Sequence, residues 1–312
     1  MLTSLKKMLP FQAAGQPKAD KTTDVVESAD PSDRDAMHEF VANLHYEIVP
    51  MTSIDQAIAD LPAAAHVSVT CSPVKGIAAT QEYTDQLLAI GHRPVPHFAA
   101  RLVSGPEEAA DLARWVRERE LSEVFVIAGD APEPAGPYVG ALPFIRDFLE
   151  AAPGVDRLGI TGYPDGHALI DADEIARQLH DKQSVLADAG VGGWISTQMC
   201  FDDVAIRQWI ERERAAGIHL PIRLGVPGVV DRTRLMTMGT RLGIGASMRY
   251  LAKNRSTVMH LMSPSGFDPT DMVVAFASDA GQLGIEALHS FTFNSVAETR
   301  AWQEAIMEGA RA

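Results

Sequence analysis

Short apolar segments that end in a polar or ionisable side chain recur along the chain, and longer segments of helical character separate them. We interpret eight of these apolar segments as β-strands. They lie near residues 44–49, 66–70, 94–98, 123–128, 157–161, 193–198, 221–225 and 289–293. Their cores are apolar on both faces, which is typical of parallel strands buried between a barrel interior and an outer layer of helices.

Helical patterns lie between most of these strands. They cover residues 53–61, 80–90, 105–120, 142–151, 172–189, 202–216 and 232–242, a helix-rich stretch at 247–285, and 294–309. Ser53 is a candidate N-cap, as are Asp171 or Asp173 and Asp202 or Asp203 further along the chain. The repeated alternation of strand and helix predicts an α/β fold, a (β/α)8 TIM barrel.

The main alternative to the barrel is an open, doubly wound sheet. That fold usually carries a glycine-rich phosphate loop after its first strand. Here the first strand is followed by Val49-Pro50-Met51-Thr52, which contains no glycine. We therefore favour the closed barrel, in which functional groups from several strands converge at the carboxyl ends of those strands.

The length of 312 residues and the hydrophobic content of 46% suffice for one large core. A barrel of this kind commonly uses about 250 residues, so one domain accounts for most of the chain. Residues 12–33 contain little that a core could bury. We predict an N-terminal tail at residues 1–35, flexible or draped over the body, and a single barrel domain at residues 36–312.

A formal net charge of −14 argues against a nucleic-acid or anionic-membrane partner, although a local cationic pocket for an anionic small molecule remains compatible with it. The two cysteines, Cys71 and Cys200, lack metal-ligand spacing, and a reducing cytoplasm is the simplest compartment. No apolar run approaches the ~20 residues of a membrane span. Neither a metal-binding HExxH motif nor a nucleophile elbow occurs, so we expect no catalytic metal.

Six short segments at or near the ends of the predicted strands are informative as a set. They are Tyr46-Glu47, Val67-Ser68-Val69-Thr70, Pro96-His97, Gly129-Asp130-Ala131-Pro132, Tyr163-Pro164-Asp165-Gly166-His167 and Thr197-Gln198-Met199-Cys200-Phe201-Asp202. Each is weak alone, but in this order and at these spacings they resemble the methylenetetrahydrofolate reductase family. The resemblance implies a barrel that carries FAD and reduces methylenetetrahydrofolate to methyltetrahydrofolate with NADH or NADPH, in either direction.

Glu47 matches the catalytic glutamate of that family. Reduction requires the folate ring to open to an iminium, and an acid near the folate nitrogens assists this opening. Tyr46, Ile48, Val49 and Pro50 suggest an apolar mouth, which would raise the pKa of the Glu47 carboxyl so that it holds a proton. Without the resemblance, a carboxylate in a salt bridge at the barrel rim is the more frequent role.

Asp130 and Gln198 match family residues that contact the pterin. By resemblance, Asp130 also lies beside the flavin and shares catalysis with Glu47, and Gly129 precedes it at the cofactor. Gln198 can both donate and accept hydrogen bonds, which suits a pterin edge. Without the resemblance, Gly129-Asp130-Ala131-Pro132 is ordinary turn chemistry and Gln198 lies at a helix entry.

Five further positions match family residues at the flavin. They are Thr70, His97, Tyr163, His167 and, more loosely, Lys182 near the diphosphate. A lone histidine on an apolar run, such as His97, is more often a core residue, and an exposed lysine needs no function.

The chain also departs from the family pattern. Ala128 stands where members usually have an arginine that contacts the cofactor, which weakens the expectation of FAD, and Arg101 is a candidate replacement cation. Arg232 is the nearest residue to the position where members often have a stacking phenylalanine.

Three alternatives therefore stay open beside the flavoenzyme. They are a folate-binding barrel without redox activity, a reductase variant that works without flavin, and a methyltransferase-type pterin binder. The family also implies a homo-oligomer.

Overall fold

The computed structural model describes Thr22, residues 25–230, Phe267 and residues 269–311. Eight parallel strands form a closed barrel in the order β1 to β8, each paired with its neighbours in sequence and β8 paired with β1. The strands are β1 His45–Ile48, β2 His66–Val69, β3 Arg93–Ala99, β4 Glu123–Ile127, β5 Arg157–Gly162, β6 Gly192–Thr197, β7 Ile222–Pro227 and β8 Ile285–Phe291. The prediction of a (β/α)8 TIM barrel is confirmed.

Helices alternate with these strands. They are α1 Pro31–Ala42, α2 Ile54–Ala59, α3 Gly76–Ala89, α4 Pro106–Glu118, α5 Ala141–Glu150, α6 Ala172–Asp188, α7 Asp203–Ala215, α8 Thr270–Phe276, α9 Ala280–Leu283 and α10 Val296–Gly309. Two short 3₁₀ helices follow β3 and α8, at Ala100–Leu102 and Ala277–Asp279. No described helix is long and apolar enough to cross a membrane.

Helix starts follow the local sequence in most cases. The carboxylates of Asp171 and Asp202 accept hydrogen bonds from backbone N–H groups in the first turns of α6 and α7, which confirms both as N-caps. Ser53 occupies the predicted N-cap position of α2, but its side chain makes no capping hydrogen bond. Its hydroxyl instead accepts a hydrogen bond from the Asn294 amide, 3.2 Å away.

Alternation along each strand separates the barrel interior from the helical layer. In β3, His97 points inward and lies 4.6 Å from the Phe125 ring, measured between ring centroids. The next residue, Phe98, points outward and packs against Trp115 of α4 and Phe144 of α5. Val95, Phe125 and the β6 tryptophan form a separate apolar cluster inside the barrel.

Ion pairs fill the amino-terminal end of the interior. The guanidinium of Arg223 is 4% exposed and binds both carboxylate oxygens of Glu123, at 2.7 and 2.9 Å. It also donates to Glu286 at 2.9 Å, and Arg157 donates to the same two glutamates. Arg223 lies 3.9 Å from the Trp194 ring centroid, so a tryptophan separates these charges from the rest of the interior.

Helix α1 packs against the barrel as an additional element before β1. It begins at Pro31, inside the segment that we predicted as a tail, and buries Met37, Phe40 and Val41. The Gln303 side chain of α10 donates to the Val41 carbonyl at 2.8 Å. Residues 1–21 lie outside the described residues, so the tail stays a prediction there.

The last strand differs from the prediction. It begins at Ile285 and not near residue 289, because Gly284 adopts φ +71° and ends α9 immediately before it. The helix predicted at 232–242 and most of the helix-rich stretch at 247–285 lie outside the described residues.

Candidate functional site

A hydrogen bond between the first and last strands lies inside the carboxyl end of the barrel. The Nε2 atom of His289 lies 2.9 Å from an Oε atom of Glu47. Residues Glu47 and His289 are 8% and 3% exposed. The Thr292 hydroxyl also donates to the Glu47 carbonyl at 2.6 Å, which fixes the backbone that carries the carboxylate.

Aromatic rings enclose this pair. The His289 ring lies 5.1 Å from Phe291 and 6.4 Å from Phe125, both measured between centroids. These rings supply part of the apolar surrounding predicted for Glu47. An imidazole lies directly against the carboxylate, so the surrounding of Glu47 is mixed. A glutamate bonded to an imidazole can hold or release a proton within the hydrogen bond.

His97 lies beside the pair, with its ring stacked 6.3 Å from that of His289. Burial, with a smaller contribution from His289, holds the pKa of His97 well below its usual value. His97 is therefore neutral at pH 7. Its Nε2 atom is buried and has no hydrogen-bond partner among the described residues.

Two hydroxyls at the same end of the barrel share this property. The Oγ1 of Thr70, directly after β2, and the Oγ of Ser196 in β6 are buried and have no partner among the described residues. Unpartnered buried polar atoms are costly in a folded protein and commonly mark a place where a ligand or water completes the hydrogen bonding. These atoms therefore retain hydrogen-bonding capacity for a ligand or a water molecule.

Asp130 lies in the loop that follows β4 and is exposed to solvent. The preceding residue, Gly129, adopts φ +89°, and a Cβ atom there would lie 2.8 Å from the Cβ of Ala99. Both constraints favour glycine at this position, as expected if residues 129–132 form an ordinary turn. Burial raises the pKa of Tyr163, a hydrogen bond with the Thr161 side chain acts in the opposite direction, and the negative charge of Asp130 adds a smaller increase.

Three other predicted site residues follow β5 and β6. The rings of Tyr163 and His167 meet edge to face, 5.3 Å apart. His167 accepts a hydrogen bond from the Leu169 N–H, and Gln198 accepts one from the Met199 N–H. This bond to the adjacent backbone N–H orients the Gln198 side chain.

Lys182 lies in the middle of α6 on its buried face, and it is 8% exposed. Burial alone lowers the pKa of this ammonium to about 8, because no charged group among the described residues contributes. The simplest interpretation of the sequence made Lys182 an exposed lysine, and the structure shows a buried one.

Arg101, the candidate replacement cation for the arginine absent at Ala128, donates from three guanidinium nitrogens to backbone carbonyls of the loop after β4. These N–H groups are therefore bonded to the protein backbone. Arg232 lies outside the described residues.

Sequence reasoning missed His289. It falls within the predicted eighth strand, but 242 residues separate it from Glu47. The available signal was an ionisable residue in the Leu288-His289-Ser290-Phe291 segment, within the predicted eighth strand. Among the described residues, no group of three or more His, Cys, Asp or Glu side chains could hold a metal ion.

Comparisons with known proteins give limited and consistent similarities. No protein-family model matches the chain. It is 30% identical over 118 residues to methylenetetrahydrofolate reductase 2 of Saccharomyces cerevisiae, a stretch that covers 35% of this chain and only 19% of the yeast protein.

The fold is also found in a solved structure from Clostridium thermocellum, of a protein that binds two copies of 5-methyl-5,6,7,8-tetrahydrofolic acid. The TM-score is 0.51 at 12% identity, over 86% of this chain and 95% of that one. At this identity the similarity shows the shared fold.

Proposed function

We propose that this protein is a folate-linked oxidoreductase similar to methylenetetrahydrofolate reductase. It binds a reduced folate at the carboxyl end of the barrel and interconverts 5,10-methylenetetrahydrofolate and 5-methyltetrahydrofolate, with NADH or NADPH as the partner in hydride transfer. The buried hydrogen bond between Glu47 and His289 carries this proposal. The partial similarity to a yeast reductase and the fold shared with a methyltetrahydrofolate-binding protein support the choice of substrate.

Glu47 provides the proton in the reducing direction. The carboxyl donates a proton to a folate ring nitrogen, the bond from that nitrogen to the methylene carbon breaks, and the methylene carbon accepts the hydride. His289 holds the Glu47 carboxylate in place and shares the proton with it, so the same pair accepts the proton when the reaction runs backwards. Asp130 and Gln198 provide an acceptor and donors for the pterin edge.

Several residues that match flavin positions of the family support a flavin in this proposal. Thr70, directly after β2, and His97, within the adjacent strand β3, carry buried polar atoms that have no partner among the described residues. Lys182 supplies a buried positive charge suited to a diphosphate, and Tyr163 and His167 supply aromatic edges. When bound, FAD would pass the hydride between the nicotinamide and the folate.

A second candidate function is folate binding without redox chemistry. Ala128 favours it, because the family's cofactor-contacting arginine is absent and Arg101 is committed to the backbone. Glu47 and His289 argue for the oxidoreductase, since binding alone does not require a buried proton-sharing pair.

The substitution Glu47→Gln tests the acid. We expect folate turnover to fall about 10²- to 10⁴-fold, because general acid catalysis contributes that much. In FAD-loaded protein, flavin reduction by NADH or NADPH should stay within about two-fold of wild type, since that half-reaction requires no folate acid. Stopped-flow absorbance measures both half-reactions separately. Glu133→Gln is the matched control, because Glu133 is exposed in the loop that also holds Asp130.

Other results would reject parts of this proposal. An equal loss in both half-reactions would remove Glu47 from its assigned role. Protein that stays colourless with added FAD but binds 5-methyltetrahydrofolate in a calorimetric titration would favour the non-redox function. Absence of folate binding in wild-type protein would reject both the oxidoreductase and the non-redox folate-binding function.

A further inference from the structure

Arg101 connects two loops at the carboxyl end of the barrel through its backbone. It lies in the 3₁₀ helix directly after β3. Its N–H donates to the Ala128 carbonyl at 2.9 Å, and its carbonyl accepts from the Ala135 N–H at 2.8 Å. These two bonds fasten the loop after β4 on both sides of Asp130.

The Arg101 side chain adds three hydrogen bonds to the same loop. Its Nε donates to the Ala131 carbonyl at 2.7 Å, and its two terminal nitrogens donate to Pro132 at 2.7 Å and to Val139 at 3.0 Å. A guanidinium is planar and presents several N–H groups in fixed directions, whereas a lysine ammonium cannot match three separated carbonyls in this way. The side chain therefore fixes the path of the backbone immediately after Asp130.

Close backbone packing restricts the loop further. A Cβ atom at Gly136 would lie 2.3 Å from the Ser104 carbonyl oxygen, so the loop lies directly against the segment that follows Arg101. Ser104 itself donates from both its N–H and its hydroxyl to Glu108, at 2.7 and 2.6 Å. The supporting segment is thereby fixed to helix α4.

We propose that Arg101 is a positioning residue for Asp130, and that this chain uses its guanidinium to orient the folate-binding loop. The inference rests on the proposed function for the role of Asp130. A carboxylate on a constrained loop loses less conformational freedom when it binds the pterin, which strengthens binding without any contact between Arg101 and the ligand.

The substitution Arg101→Lys keeps the charge and removes the planar set of donors. We expect the dissociation constant of 5-methyltetrahydrofolate to rise about ten-fold, as misplacement of a binding group outside the chemistry can cause. Hydrogen exchange should accelerate in residues 131–139. Arg117→Lys is the control, since Arg117 donates to the Ala152 carbonyl in a loop at the other end of the barrel.

A double-mutant cycle with Asp130→Asn distinguishes positioning from a general structural role. If Arg101 acts through Asp130, Arg101→Lys should change folate affinity in the Asp130→Asn protein by less than about two-fold. An undiminished ten-fold effect in that protein would overturn the proposal. Gly136→Ala, which disturbs the loop without altering Arg101, should reproduce the loss of affinity if Arg101→Lys fails to fold.

Failure of the proposed function gives a different result. Asp130→Asn alone would then leave folate affinity unchanged, or wild-type protein would bind no folate. Normal exchange in residues 131–139 of Arg101→Lys would overturn the positioning role whether or not folate binds.

Discussion

The two ends of the barrel interior treat polar groups in opposite ways. At the amino-terminal end, Arg223, Glu123, Glu286 and Arg157 bind one another. At the carboxyl end, His97, Thr70 and Ser196 each keep a buried polar atom without a partner in the described part of the chain. Polarity in a core therefore does not by itself mark a site. Polar groups that are paired with one another stabilise the fold, whereas those without a protein partner retain hydrogen-bonding capacity for a ligand or water.

Histidines make this contrast less absolute. The Nδ1 atom of His45, at the amino-terminal end, is also buried without a partner among the described residues. Its ring lies 4.5 Å from that of His66, whose Nε2 is 3.2 Å from the Arg93 guanidinium. Burial, with a smaller contribution from nearby Arg223, holds the pKa of His45 well below its usual value, so this histidine is neutral.

The largest effect that we expect comes from the saturated end. Arg223→Met should lower the free energy of unfolding by about 3–5 kcal/mol, because it leaves the half-buried Glu123 carboxylate without its main partner. Folate affinity of the folded protein should stay near wild type. Urea denaturation monitored by circular dichroism measures the first quantity. Arg300→Met is the control, since Arg300 and Glu304 form an exposed pair that contributes little. A decrease of less than about 1 kcal/mol in the free energy of unfolding of Arg223→Met would contradict a stabilising role for these ion pairs.

A smaller effect should appear at the unsaturated end. His289→Leu should slow folate turnover by about 10- to 100-fold, corresponding to roughly 1.4–2.7 kcal/mol, because Glu47 loses the group that positions it and shares its proton. His289→Gln retains a donor and should recover part of the rate. Steady-state kinetics across pH 5–9 measure both variants. Identical pH profiles for wild type and His289→Leu would argue that the imidazole takes no part in proton transfer.

The smallest expected effect is the contribution of His45 to the pH dependence of the free energy of unfolding. Burial is the main cause that holds its pKa well below the usual value, and Arg223, His66 and His289 contribute in the same direction. The folded state therefore binds fewer protons than the unfolded state, and stability falls as the pH decreases below about 6.5. The expected contribution is about 1.4 kcal/mol per pH unit. His45→Gln should flatten the dependence of unfolding free energy on pH between 7 and 5, and an unchanged slope would reject this origin.

Much of the fold followed from the sequence because each strand is a short, locally apolar segment. Seven of the eight predicted strands agree with the structure to within two residues at each end, and the caps at Asp171 and Asp202 were identified from local chemistry. The eighth strand was placed too late because Glu286 interrupts its apolar run. That charge is explained by Arg223 and Arg157, which lie far away in sequence.

The candidate site was predictable in its location and less so in its chemistry. Strand ends placed Glu47, Thr70 and His97 at one end of the barrel, since parallel strands share that direction. The partner of Glu47 and the hydrogen bonds of Arg101 depend on contacts between distant segments, which local patterns do not encode. The family resemblance named the acid and gave no indication of the imidazole beside it.

The Glu47–His289 pair joins the opening strand of the barrel to its closing strand. During synthesis, the glutamate leaves the ribosome 242 residues before its imidazole. The Asn294 side chain then clasps the backbone of Val49, with bonds of 2.8 and 2.9 Å. A nascent or truncated chain that lacks this final strand cannot form the Glu47–His289 hydrogen bond. The pair therefore exists only in a barrel that has closed completely.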